Sequence, residues 1–401
     1  MDTDVTDSAG TLAEPEAPAG DEGGATSARP PGDGPAPGRR RWRWLRWIAL
    51  AVSLLLLAAA GAAWWFYQRL DAEITTDTAT ATELRTHEKE RPKPVVLDAR
   101  NILIMGSDTR EGKGNRKYGR DDGGKRSDTT ILLHLAAGRD SATAMSIPRD
   151  LMVEMPSCRQ ADGTRSRAGT AQFNSAFSIG GAACTIRTVE KMTGIRIDHH
   201  VIVDFRGFER MVDAVDGVEV CLPEAVDDPD ARLVLDAGRQ TLDGEQALGF
   251  VRARKTLGGG SDTERMERQQ QFLGSLVKKV QSNGVLLNPA RLYPVLKAAT
   301  SSLTTDPGLD SLKDLYDLAS SLRDVPADKV QFLTVPREPH IANVNRDQLM
   351  QPDADRLFQQ VREDAPITVV PRDDQEEGSP ESAESDSDAF TGTNAAVGMC
   401  G

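Results

Sequence analysis

The sequence predicts an α/β layered fold carried behind one membrane-spanning segment. Strand-like runs alternate with helical ones through most of the chain, the pattern of a sheet covered by helices. A single uncharged apolar run near the N-terminus is about 20 residues long, enough to cross a ~30 Å hydrocarbon core. Both ends of the chain lack any hydrophobic period and read as disordered.

Taken in order, residues 1–38 form an acidic stretch rich in Pro, Gly and Ala, read as a disordered cytoplasmic tail. Residues 39–46 are a basic juxtamembrane segment containing Arg39, Arg40, Arg41, Arg43 and Arg46. The apolar run is residues 47–67, closed by Trp64, Trp65, Phe66 and Tyr67. Arginines ahead of the span place the N-terminus in the cytoplasm and the rest outside it, and the aromatics suit an interfacial belt. The apolar stretch exceeds the ~7–15 residues of a cleaved signal peptide, so the expectation is a retained single-pass anchor in the cell membrane. Residues 68–95 read as a polar extracytoplasmic connector, 96–370 as one folded domain and 371–401 as a disordered acidic tail.

Within the domain, strands are expected at Ile102–Met105, Thr129–Leu135, Ala142–Ser146, His200–Asp204, Val218–Leu222, Leu248–Arg254 and Val330–Val335. Helical stripes follow Ile186, Val189 and Met192, then Phe208, Met211, Val212 and Val215, then Phe272, Leu273, Leu276, Val277 and Val280. Such stripes normally face a core.

The charged residues fall into clusters. Arg252 and Arg254 stand two apart, which in an extended strand puts both guanidiniums on one face. Arg265 and Gln269 are four apart and share a face of the helix expected there. Converging guanidiniums suit a phosphate, whose oxygens they bind in pairs. Carboxylates gather at strand ends: Asp108 in Gly106-Ser-Asp-Thr-Arg110, Asp128 in Arg126-Ser-Asp-Thr129, and Asp150 beside Arg149 in Ser146-Ile-Pro-Arg-Asp150. Carboxylates beside phosphate-binding arginines suggest Mg2+, with Mn2+ as the substitute, shared between protein and phosphate. Any one aspartate alone would read as a turn or cap residue.

These pieces, with Asn174-Ser-Ala-Phe177, Gly180-Gly181, Val203-Asp-Phe-Arg-Gly-Phe208, Val215-Asp-Gly-Val-Glu-Val220 and Leu242 through Gln270, resemble the LytR-CpsA-Psr family of cell-wall ligases. The resemblance covers residues 98 to 285 most clearly. It implies a three-layer α-β-α domain with a central mixed sheet and an apolar tunnel for a polyprenyl chain. It also implies transfer of a cell-wall glycopolymer, of the teichoic acid or arabinogalactan kind, from polyprenyl pyrophosphate to peptidoglycan through a phosphodiester. By the same resemblance Asp108 and Asp128 would hold the metal. Arg126, Arg252, Arg254, Arg265 and Gln269 would grip the pyrophosphate, and Arg149 would stabilise charge at the attacked phosphorus.

Two rival readings share the motifs: a hydrolase that passes the lipid pyrophosphate to water, and a non-catalytic membrane-bound lipid-binding regulator. Nucleic acid is not an expected partner. The net charge of −13 resides in the two tails, which carry −7 each, leaving the body near neutrality. Of the four cysteines, Cys158 and Cys184 bracket a loop-rich stretch and are the preferred disulfide pair; Cys221 lies in a strand-like run.

Overall fold

The computed structural model describes residues 39–108, 127–253, 261–282, 289–371, 389–397 and 399–400. Its helices are α1 (Arg39–Asp71), α2 (Thr78–Thr86), α3 (Ser175–Thr193), α4 (Phe205–Ala214), α5 (Gly244–Arg252), α6 (Asp262–Ser282), α7 (Pro289–Thr300), α8 (Leu312–Arg323) and α9 (Asp353–Arg362). In α1, the stretch Trp42–Asp71 is long and apolar enough to be a candidate membrane span. The chain divides into two compact units after Gly61, and the body is the second.

One mixed sheet organises the body. Among the described residues its strands are β1 (Thr75–Thr76), β2 (Arg100–Ser107), β3 (Ser127–Leu135), β4 (Ala142–Ile147), β5 (His199–Asp204), β6 (Leu303–Thr305), β7 (Val330–Thr334), β8 (Thr368–Val370) and β9 (Ala389–Asn394). Their spatial order is β1-β6-β5-β2-β3-β4-β7-β9-β8. The β3 strand is antiparallel to both β2 and β4, whereas β5 lies parallel to β2 and β7 parallel to β4.

Alternate residues of each strand point to opposite faces, and both faces are covered. Leu103, Met105, Leu132, Met145 and Leu333 meet one helical layer through Leu84 of α2, Ile186 and Val189 of α3, and Leu357 and Phe358 of α9. Ile102, Ile131, Ala144 and Phe332 meet the other through Leu273 and Val277 of α6 and Leu315 of α8. Double coverage explains why every residue of β4 is buried. A third cluster joins α4, α5 and α6 to the hairpin Val218–Leu222/Gly238–Leu242.

Local sequence sets the helix starts. Asp204 caps α4 by accepting the Gly207 N–H at 2.6 Å. Asp243 and Gln246 form a reciprocal capping box at the start of α5. That box overrides the strand expected at Leu248–Arg254. The segment is helical through Arg252, and the face-sharing argument for Arg252 and Arg254 falls with it.

The α3 helix breaks at Gly180 and Gly181, where Gly181 has φ +61° and a Cβ on Gly180 would lie 2.8 Å from the Cys184 Cβ. Cys184 is bonded to Cys158, as preferred from sequence. Cys221 is bonded to Cys400. The tail reading of residues 371–401 is corrected at its far end. Ala389–Asn394 is a strand lying between β7 and β8, and Gly392 approaches so closely that a Cβ would lie 2.3 Å from the Phe332 carbonyl oxygen. Backbone pairing and the buried Phe390 outweigh the polar composition around it.

Candidate active site

Register brings the motif carboxylates together. Ser107 at the end of β2 pairs with Ser127 at the start of β3, so Asp108 and Asp128 leave neighbouring strands at one edge of the sheet. Thr130 pairs with Ile147 at the end of β4, so Arg149 and Asp150 emerge beside them. Asp204 pairs with Ser107, which delivers α4 to the same edge. The C-terminal end of α5 and the first turns of α6 complete the ring.

Arg149 sits at its centre, with a side chain only 21% exposed. Its Nε donates to Asp150 Oδ2 at 3.1 Å, and one terminal nitrogen approaches Asp128 Oδ1 at 3.4 Å. Asp262 Oδ1 lies 3.5 Å from the same Nε and 2.5 Å from Arg265. Burial opposes the charge on Arg149, but Asp262, Asp128 and Asp150 outweigh it and hold the guanidinium above its ordinary pKa. It is a fixed cation. Asp150 is itself held by Gln172 Nε2 at 2.7 Å and Arg346 at 3.3 Å.

The remaining site residues line a cavity of about 550 Å³. Asp108, Asp128, Asp204, Asp228, Asp230, Arg252, Arg265 and Gln269 supply its polar part, while Phe205, Phe208, Met211, Phe272, Leu273 and Leu276 supply an apolar part. The Arg252 guanidinium lies 4.5 Å from the centre of the Phe205 ring. Gln269 Nε2 donates to the Val251 carbonyl at 3.0 Å, and buried Arg268 donates from Nε to the Phe250 carbonyl at 3.1 Å. These bonds satisfy carbonyls that the end of α5 would leave open. Burial lowers the Arg268 pKa, against the opposing pull of Glu264 and Asp228.

Six of the expected site residues, Asp108, Asp128, Arg149, Arg252, Arg265 and Gln269, therefore gather at one edge of the sheet. Arg126 and Arg254 lie outside the described residues. Sequence reading assigned no role to Asp262, Gln172, Arg346 or Phe205. Asp262 stands three residues before Arg265, a helical ion-pair spacing that was available as a signal. Arg346 comes from the distant hairpin Arg337–His340/Asn343–Leu349 and had no local signal.

The architecture is thus a three-layer α/β domain whose charged strand ends open onto an amphipathic cavity. The profile of the LytR_cpsA_psr family matches residues 69–364. The chain belongs to the LytR-CpsA-Psr family.

Among its relatives, "Probable cell wall biosynthesis protein LcpB" of Corynebacterium glutamicum is 39% identical over 228 residues. That match covers 56% of this chain and 52% of the relative, so the chain spans about half of that protein's length. The polyisoprenyl-teichoic acid–peptidoglycan teichoic acid transferase TagU of Oceanobacillus iheyensis is 30% identical over 288 residues, covering 69% of this chain and 81% of TagU. The crystal structure of B. subtilis TagV superposes with a TM-score of 0.52 at 25% identity, covering 68% of this chain and 100% of TagV.

Proposed function

We propose that this chain is a membrane-anchored phosphotransferase that moves a cell-wall glycopolymer from a polyprenyl-pyrophosphate carrier to peptidoglycan, leaving a phosphodiester. The observation that carries the reading is the amphipathic cavity: guanidiniums and carboxylates at its polar part, aromatic and aliphatic walls beyond. A lipid pyrophosphate has that same division. Arg252, Arg265 and Gln269 would bind the pyrophosphate oxygens, and the apolar walls would receive the prenyl chain as the start of a tunnel. TagU, named as a teichoic acid transferase to peptidoglycan, supports the assignment of polymer and acceptor.

In this reaction the acceptor hydroxyl oxygen bonds to the polymer-side phosphorus as the bridging P–O bond breaks, prenyl phosphate departs and the hydroxyl proton passes to solvent. Such transfers depend chiefly on positioning and on stabilising spread charge. Arg149, held by Asp150 and Asp262, supplies a positive charge that need not reorganise during the step.

Asp108 and Asp128, adjacent hard-oxygen donors at the cavity, fit a divalent ion that takes one or two carboxylates and fills its sphere with phosphate oxygens and water. These two side chains would hold Mg2+ or Mn2+. Bound there, the ion would withdraw charge from the phosphate oxygens. The arginine block before the span supports a cytoplasmic N-terminus and an extracytoplasmic body.

The test incubates the purified full chain with a lipid-linked donor, Mg2+ and peptidoglycan sacculi. Polymer bound covalently to sacculi, and lost in the Asp128→Ala variant, is the expected result. Donor cleaved to free polymer phosphate whether or not sacculi are present would replace the transferase reading with a hydrolase.

A further inference from the structure

We propose that the outward face of α7 is a bilayer-contact surface that seats the body on the lipid headgroup layer beside the cavity. The proposal rests on the reading of α1 as a membrane anchor, and it goes beyond the transferase assignment. Four observations lead to it.

The C-terminal part of α1 carries Trp64, Trp65, Phe66 and Tyr67, with the two tryptophans 65% and 55% exposed. Consecutive exposed aromatics closing an apolar run mark the membrane–water interface. Two contacts then tie this end of α1 to the body. The Phe66 ring meets the Tyr293 ring of α7 edge-on at 6.4 Å, and Asp71 Oδ1 accepts the Leu312 N–H that opens α8 at 2.8 Å. An element touching Phe66 lies at the depth of the aromatic belt.

The α7 helix has the faces such a position needs. Tyr293, Pro294 and Lys297 are exposed, and Tyr293 and Lys297, four apart, share one side. A tyrosine with a lysine suits the headgroup layer, since both keep an apolar body and a polar tip. On the inner side Ala298 is buried, and Val295 packs into the cluster that holds Phe250 and Phe272.

That inner side also joins α7 to the cavity. Arg210 of α4 donates to the Ser301 carbonyl at 2.9 Å and to Ser301 Oγ at 3.2 Å, just beyond α7. Phe208 and Met211 of α4 line the apolar part of the cavity, and Phe208 shares its cluster with Val295. The α7 helix therefore lies between the interfacial end of α1 and the cavity wall. A prenyl chain rising from the bilayer would pass along this helix, not through bulk water.

The experiment places a fluorescent label at Tyr293→Cys or, as a control, at Leu97→Cys in the full chain reconstituted into phospholipid vesicles. Leu97 is 74% exposed and precedes β2 at the end of the sheet away from the cavity. No free cysteine among the described residues competes for the label. Headgroup-spin-labelled lipid should quench the label at 293 and leave that at 97 unaffected. Equal, weak quenching at both positions would overturn the proposal, and this readout does not depend on turnover.

A second measurement compares wild type with the double variant Tyr293→Glu, Lys297→Glu. Its KM for a donor embedded in vesicles should rise roughly tenfold, while KM for a short-chain water-soluble donor stays unchanged. Equal losses on both donors would show that this face supports the fold and not membrane contact. Absence of turnover by the wild type would refute the transferase reading while leaving the quenching result to decide the bilayer contact.

Discussion

The two ends of the central sheet both gather arginines and carboxylates, yet among the described residues only one of the two clusters opens onto a cavity walled by phenylalanines. At the end where β1 is preceded by α1 and β2 finishes, Arg149 is shared among Asp128, Asp150 and Asp262, and the cluster opens onto aromatic walls. At the opposite end a cleft of about 350 Å³ is lined by Arg85, Arg91, Arg196, Glu88, His199 and Asp306. There the charges answer one another within the fold. Arg91 grips both oxygens of Glu190 at 2.9 and 3.0 Å, Arg196 meets Glu88 at 2.8 Å and His199 meets Asp306 at 3.2 Å. Counting arginines would not separate the two ends. What separates them is that the first cluster continues into a larger cavity walled by Phe205, Phe208 and Phe272, whereas the second cleft has no phenylalanine in its lining.

The sharpest way to break this contrast is Arg91→Ala. The Glu190 side chain is 3% exposed and that of Arg91 9%, and leaving the buried glutamate without its partner should lower stability by about 3–5 kcal/mol. Donor affinity of the molecules that remain folded should not change. Denaturant unfolding paired with donor binding checks this, and a specific loss of donor affinity would mean that the second cleft also serves the reaction.

Next in size is Arg149→Ala, for which single-turnover rates should fall roughly 10²–10³-fold, as when a preorganised charge-stabilising donor is removed. Near-normal rates would shift the reacting centre away from this residue.

Arg252→Lys tests whether fork geometry matters at the cavity. If Arg252 binds phosphate oxygens through parallel hydrogen bonds, lysine should weaken donor binding by roughly ten- to a hundred-fold. Arg196→Lys at the opposite end should leave donor binding as in wild type, and similar behaviour of the two variants would erase the distinction.

The smallest effect concerns acid stability. Burial alone would raise the Asp77 pKa, but contacts with His200 and the Thr80 N–H outweigh it and bring it from 3.8 to about 2. A carboxylate depressed on folding stabilises the native state fully above its unfolded pKa. That contribution disappears as pH falls from about 3.8 toward about 2. Asp77→Asn should therefore flatten the acid limb of thermal stability in that window and leave donor binding at neutral pH unchanged. An unaltered limb would remove Asp77 from the acid response.

Much of this was legible in the chain because local rules and tertiary needs agree. The runs that became β2, β3, β4, β5 and β7 contain no fully exposed residue, as strands covered on both faces require. The aspartates of the cluster stood at strand ends, where register could unite them. Leu248–Arg254 misled because a short apolar run is compatible with strand or helix, and the cap at Asp243 lies upstream of it. Arg252 kept its place at the site for a different reason, as the last residue of a helix. Arg346 and the Cys221–Cys400 bond depend on residues far apart in sequence, and no spacing rule reaches that far.

The position of β9 has a consequence for biogenesis. A chain made from its N-terminus delivers β7, then β8, and only afterwards the strand that must slide between them. Until Ala389–Asn394 arrives, β7 presents an open backbone edge and β8 lacks the neighbour through which it joins the sheet. Open edges invite pairing with other chains. Newly made molecules therefore pass through an interval in which every described site residue has already been synthesised while the sheet remains incomplete. Folding factors that shield strand edges would act during that interval, and oxidation of Cys221 with Cys400 would close it.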